Sequence, residues 1–178
     1  MAVLTEARTA LPTGTWTLDS VHSTIGFELP YLAGTFRGHF TDVDANLTAE
    51  SLSGSARVAS IDVKDENLAA HLQSPEFFDA ERHPELTFAS RSIDRSDDHL
   101  KVAGEITIRG TTKPVELVGT IADPMTDGFG RERVNIKLET TVDRTAFGLE
   151  WNMPLPNGQP ALQNEVTLVA ELYFVQEA

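Results

Sequence analysis

Apolar side chains recur at every second position along most of this chain. Val134, Ile136, Leu138 and Val142 share one parity with Thr140, and Val166, Leu168, Ala170, Leu172 and Phe174 repeat the pattern near the C-terminus. The same period runs through Ile25–Phe27–Leu29, Phe36–Gly38–Phe40, Val43–Ala45–Leu47, Leu100–Ile108 and Val115–Ile121. Alternation of this kind places one face of an extended segment in an apolar interior and the other in water, as in half-buried antiparallel strands. Turn dipeptides punctuate the runs at Ala33-Gly34, Arg109-Gly110, Asp123-Pro124, Asp127-Gly128 and Asn157-Gly158. Several runs reach eight or nine residues, roughly 26–30 Å of strand, which favours a closed barrel over a sandwich. Glycines on the apolar face (Gly38, Gly104, Gly119) would let such long strands bend, although a large sandwich accommodates the same residues.

One segment departs from period two. Asp65-Glu-Asn-Leu-Ala-Ala-His-Leu72 is rich in helix formers and sets Leu68 and Leu72 four apart. Ser74-Pro75-Glu76 then spells an N-cap, an N1 proline and an early carboxylate, predicting a second short helix that Pro84 ends. The reading is an all-β domain over 15–178, a single antiparallel barrel of about eight strands, with a helical excursion near 65–82. Residues 1–14 are small and polar and are expected to form a flexible arm.

At 178 residues the chain is about one domain long, and it contains no cysteine, so disulfides, thiolate metal sites and cysteine nucleophiles are excluded. Fourteen Lys and Arg stand against 27 Asp and Glu, a formal net charge of −13 that repels nucleic acid and anionic membranes. No apolar stretch approaches the roughly 18 residues of a membrane span. Glu6 and Arg8 interrupt what a signal peptide would need as a continuous apolar segment, so a cytoplasmic location is expected. The five histidines (His22, His39, His71, His83, His99) have no metal-ligand spacing, and no metal or other cofactor is expected. There is no GxSxG elbow or phosphate loop, and Asp19-Ser20-Val21-His22 reads as a turn because triads converge from separate parts of a fold. Asp123–Gly128 fails the calcium-loop pattern at Met125. No catalytic residue is assigned.

The stretch "HLQSPEFFDAERHPELTF" (71–88) carries two histidines and four carboxylates. Nothing in their spacing drives two of them into one desolvated pocket, as pKa tuning requires. Phe77 and Phe78 weigh more, because burying one such ring contributes about 1.5–3 kcal/mol.

This stretch, with "TWTLDSVHSTIGFEL" before it and "GEITIRGTTKPVEL", "DRTAFGLEW" and "NEVTLVAELYF" after it, resembles the YceI-like family over about Thr15 to Val175. The resemblance implies an extended lipocalin-like barrel that binds a long isoprenoid chain, polyprenyl or quinone-like, without established catalysis. It also implies links to lipid carriage or storage and to stress responses, and makes a homodimer plausible. Many relatives carry a histidine where Tyr31 falls here, which puts head-group choice in question.

An eight-stranded barrel has room for packed side chains or one slender ligand. The inward residues expected to line an apolar lumen are Phe27, Leu29, Tyr31, Phe36 and Phe40 from the first strands, with Phe77 and Phe78 from the excursion. Phe88, Ile106, Ile108 and Leu117 follow, then Ile136, Leu138, Phe147, Trp151 and Leu168. A polar head would meet Tyr31 or Arg144 at the mouth. Each lining residue equally suits a solid core. Two other functions therefore stay open: an isomerase or hydrolase using the same cavity, or a solid barrel serving as a structural or protein-interaction module.

Overall fold

The alternating segments are antiparallel strands in the computed structural model, which describes residues 7–177. Six strands precede the helix: β1 (Trp16–Leu18), β2 (Thr24–Tyr31), β3 (Gly34–Phe40), β4 (Val43–Leu47), β5 (Leu52–Arg57) and β6 (Ile61–Asp62). After α1 (Glu66–Gln73) come β7 (Glu85–Ser96), β8 (His99–Ile108), β9 (Thr111–Ile121), β10 (Met125–Thr126), β11 (Glu132–Asp143) and β12 (Glu165–Gln176). The strands β11, β9, β8, β7, β5, β4, β1 and β12 follow one another, and β12 pairs back onto β11 from Val175–Arg133 to Glu165–Asp143. The result is a closed barrel of eight antiparallel strands with one short α-helix among the described residues.

The other edge of β12 pairs with β1 at Phe174–Gln176 and with β2 at Thr167–Glu171. β1 and β2 thus form one wall interrupted at Asp19–Ser23. From β2 the sheet continues into β3 and the two-residue β6, where it stops. The excursion after β6 covers the side that no strand closes. The Phe78 ring lies 5.9 Å from Phe40 and 6.3 Å from Phe27, and Val58 N–H donates to Pro84 O at 2.9 Å.

Two packed groups divide the barrel along its axis. At the closed end Trp16, Leu47, Val102, Val134, Ile136 and Phe174 are fully buried against one another. At the other end Phe27, Leu29, Phe40, Leu72, Phe77, Phe147 and Leu149 pack around the excursion. The inward glycines have a specific use: a Cβ on Gly104 would stand 2.7 Å from the Phe88 ring, and one on Gly38 2.6 Å from the Phe27 ring. Gly38 gives the space of its missing side chain to an aromatic ring, and Gly104 shares it between the Phe88 ring and the backbone oxygen of Ala89, 2.3 Å from where a Cβ would stand. The Arg109-Gly110 turn has φ of +50° and +75°, the two positive values that a two-residue hairpin matching strand twist requires.

The second predicted helix does not form. Asp65 caps α1, its carboxylate accepting from Leu68 N–H at 2.8 Å, but residues 74–83 are successive turns. Ser74 Oγ donates back to His71 O at 2.6 Å and accepts forward from Glu76 N–H only at a long 3.4 Å, and Asp79 sits at φ +53°, outside the helical region. Strands β1, β5 and most of β7 are absent from the sequence-based pattern. In β5 the inward positions are Leu52, Gly54 and Ala56, two of them too small to register, and β7 changes register between Ser90 and Ser92. Of the expected arm, residues 1–6 lie outside the described residues. Residues 7–14 are irregular but tied down: Leu11 is buried in the closed-end core, and Asp97 N–H donates to Arg8 O at 2.9 Å while Arg95 Nη1 donates to Ala10 O at 3.1 Å.

An ion network fastens the break between β1 and β2. Arg133 donates through Nη1 to Asp19 (2.6 Å) and through Nε to Asp127 (2.7 Å), and His22 Nδ1 lies 2.7 Å from Asp19. Burial alone would raise the Asp19 carboxyl, but the bonds from Arg133 and His22 outweigh it and hold its pKa at about 2. Arg133 likewise holds Asp127 well below the usual carboxylate range. A depressed native pKa stabilises fully above the unfolded value near 3.9, and the contribution is lost as pH falls through the native one. The unfolding free energy is therefore expected to drop between about pH 4 and pH 2, with a smaller drop in Asp19→Asn. Urea titrations across that window check it; an unchanged slope in the variant would remove Asp19 from the account.

Candidate ligand-binding site

The open half of the barrel encloses a cavity of about 520 Å³. Its wall from β2 and β3 presents Phe27, Leu29, Phe36 and Phe40, with Tyr31 exposed at the mouth. Leu68, His71, Leu72, Phe77 and Phe78 come from the excursion. Phe88, Ile106, Ile108 and Leu117 descend from β7, β8 and β9, and Leu138 and Leu168 from β11 and β12. Phe147 and Trp151 belong to the segment joining those last two strands. Leu52, Leu138 and Leu172 form the floor, since they also belong to the closed-end core.

Ile136 is the exception among the residues expected in the lumen. It is fully buried in the closed-end core and does not reach the cavity. Period two assigns it to the inward face correctly but is silent about height along the barrel axis. Below the floor, Trp16 and Phe174 fill the interior. Val142 and Val166, further along the same strands, line the cavity and carry the same alternation signal. Met153, Ala161 and Leu162 also line it from the loop before β12, where no periodicity marks them. A barrel solid throughout is not what forms: one half is filled and the other hollow.

Phe77 is buried, its ring 5.0 Å from His71 and 5.4 Å from Trp151. His71 lies edge-on to Trp151 at 4.9 Å, and its Nε2 is 2.5 Å from the Glu76 carboxylate. The fold thus joins one histidine and one carboxylate of the 71–88 stretch, a pairing that sequence spacing did not reveal because a turn separates α1 from Glu76. Arg109 straps the excursion to the loop after β11, donating from Nη2 to Pro75 O (2.8 Å) and from Nη1 to Gly148 O (3.2 Å). Gly148 accepts this contact at φ +83°, closing the 3-10 turn Arg144–Phe147.

Arg144 lines the cavity with only 6% of its surface exposed. Its Nε donates to Gln163 O (2.9 Å), and Nη1 donates to both Leu149 O (2.6 Å) and Trp151 O (2.9 Å). Burial pushes the guanidinium below its ordinary pKa, offset in part by the neighbouring Asp143 charge. Among the described residues no three His, Asp or Glu side chains assemble as metal ligands, and no helix is long and apolar enough to cross a membrane.

The YceI-like domain profile matches residues 16–174. Protein YceI of Escherichia coli O157:H7 is 27% identical over 167 residues, covering 89% of this chain and 84% of that protein. Among solved structures, BcnA of Burkholderia cenocepacia superposes with a TM-score of 0.75 at 20% identity, over 88% of this chain and 98% of that one. A polyisoprenoid binding domain from Saccharophagus degradans, implicated in plant cell wall breakdown, superposes with a TM-score of 0.72 at 10% identity, over 91% and 98%. The profile spans every strand of the closed barrel and the excursion that completes its wall, and the chain belongs to the YceI-like family.

Proposed function

We propose that this protein binds a long apolar lipid of the isoprenoid type, polyprenyl or quinone-like, and carries or stores it without chemical change. The observation that carries the reading is the apolar cavity of about 520 Å³ at one end of a barrel whose other end is solid. That volume falls within the roughly 300–1,000 Å³ usual for small-molecule sites. Aromatic and aliphatic side chains on every wall suit a slender hydrocarbon, which gains about 25 cal/mol for each Å² of apolar surface removed from water. Membership of the YceI-like family and the likeness to a polyisoprenoid binding domain support the ligand class.

Organic extraction of protein purified from cells, followed by mass spectrometry, is expected to yield a long-chain isoprenoid. Recovery of no apolar compound, together with failure to bind added isoprenoids, would overturn the reading. An enzyme acting on a hydrophobic substrate has one observation in its favour, the His71–Glu76 pair at the cavity edge. With 58% of its side chain exposed, Glu76 lacks the desolvation that tunes an acid–base pair, so binding is the better reading.

A further inference from the structure

One lip of the cavity mouth carries exposed apolar side chains and no charge. Tyr31 and Leu32, at the tip of the β2–β3 hairpin, are 46% and 66% exposed, and Met153, in the loop before β12, is 55% exposed. A bridge between Tyr31 and Leu162 joins the hairpin to that loop, so the two form one continuous edge. None of the 14 Lys and Arg or the 27 Asp and Glu falls within 29–36 or 151–164. Charge resumes immediately outside, at Glu28 and Arg37 and at Glu150 and Glu165. The excursion that borders the same mouth is acidic by contrast, with Glu66, Glu76 and Glu81 exposed.

The loop also settles its own backbone. Pro154, Pro156 and Pro160 have no N–H to satisfy. Met153 and Leu162 donate theirs to Asn152 Oδ1, and Gln159 donates to Asn157 Oδ1, at 2.9–3.0 Å. Leu155 donates to Gln159 O, Gly158 to Leu155 O and Ala161 to Met153 O, at 2.7–2.9 Å. A segment paired in this way loses little on leaving water, where each unmet backbone group is costly.

We propose that this lip docks on a lipid bilayer whose surface has no net charge. Tyr31, Leu32 and Met153 enter the headgroup layer, and the mouth faces the membrane. The proposal rests on the lipid-binding reading above: whatever covers the mouth must supply or receive a hydrocarbon chain without passing it through water. A bilayer interface takes apolar and amphipathic side chains, tyrosine among them, and needs neither charges nor free N–H groups opposite it. The lip offers the first and lacks the others. A net charge of −13 sets the sign of the preference, because an anionic membrane surface repels the rest of the molecule.

Flotation of the purified full chain with phosphatidylcholine vesicles tests this. The unsubstituted protein is expected to float, and Leu32→Asp/Leu155→Asp to lower the bound fraction about tenfold. Neither position lines the cavity, and Leu32 has φ +52°, a conformation that Asp tolerates. Isoprenoid recovered from the double variant by extraction is therefore expected to be unchanged. Val21→Asp/Phe129→Asp is the control: these side chains are 86% and 87% exposed, but they lie at the closed end around the Asp19–Arg133–Asp127 network, and vesicle binding should persist. Replacing roughly one-third of the phosphatidylcholine by phosphatidylglycerol is expected to weaken binding, with salt restoring it. Tighter binding to those anionic vesicles would overturn the neutral surface, and equal loss in the closed-end variant would overturn the assignment to the lip. Isoprenoid recovered from a protein that does not float would overturn the docking and leave the lipid reading standing. A dimer in sedimentation velocity that Leu32→Asp/Leu155→Asp dissociates, without vesicle binding, would give the lip to a second copy instead. Flotation of a protein that neither yields nor binds isoprenoid would overturn the lipid reading and leave only the membrane contact.

Discussion

Phe77→Ala is expected to lower the unfolding free energy by about 3–5 kcal/mol, the usual cost of removing a buried aromatic ring. For a chain of this size that corresponds to a fall in Tm of roughly 6–20 °C. The reason lies in what the ring joins. Phe77 is buried between His71 on α1 and Trp151 on the loop before β12, so its loss opens a void where two non-strand segments meet over the cavity. Arg109 bonds Pro75 O and Gly148 O, and His71 meets Trp151 edge-on at 4.9 Å, but neither contact fills that void. Glu81→Ala, at an exposed position of the same stretch, is expected to change stability by less than about 0.5 kcal/mol. Urea denaturation of both variants tests the contrast. A Phe77→Ala cost below about 1 kcal/mol would mean that the excursion decorates the barrel rather than completing it.

That contrast bears on what could be read before folding. Fold class follows from period two because the pattern is long and the strands are half-buried, with Val134–Val142 and Val166–Phe174 paired residue for residue along one seam. Where inward side chains are small the pattern weakens: β5 offers Leu52, Gly54 and Ala56, and the bulge in β7 shifts the phase after Ser90. Propensity misleads at 74–83, where Ser74 and Pro75 fit a helix start but the turns are set by tertiary contacts. Phe78 reaches Phe40 and Phe27, and the next residue, Asp79, takes a left-handed conformation that no helix continues through.

The candidate site is partly legible for a related reason. Parity identifies which side chains point inward, so the aromatic wall of Phe27, Phe36, Phe40 and Phe88 could be named from sequence. Parity says nothing about depth, which depends on how far Trp16 and Phe174 fill the interior from below. Nor does it mark His71 or Leu162, whose positions depend on a helix and a loop folding over the rim. Arg144 was legible as a polar residue near the mouth, but its burial and its bonds to the carbonyls of Leu149, Trp151 and Gln163 are properties of the folded chain.

The division into a filled and a hollow half predicts that binding and stability can be separated by substitution. Ile106 and Leu168 line the cavity from different walls, and both are only partly buried. Replacing both with Trp places two indoles in existing space, so the stability cost is expected to stay within the roughly 1–3 kcal/mol of moderate overpacking. Retained isoprenoid, measured by extraction and mass spectrometry, is expected to fall at least tenfold. Ile136→Ala does the reverse. Its side chain is wholly enclosed at the closed end, so truncation is expected to cost about 2–5 kcal/mol while lipid retention at moderate temperature stays unchanged. If Ile106→Trp/Leu168→Trp kept its lipid, the ligand would have to lie outside this cavity. If Ile136→Ala lost its lipid while still folded, the two halves would be coupled, and the solid end would take part in binding rather than serve as the base on which the hollow end is built.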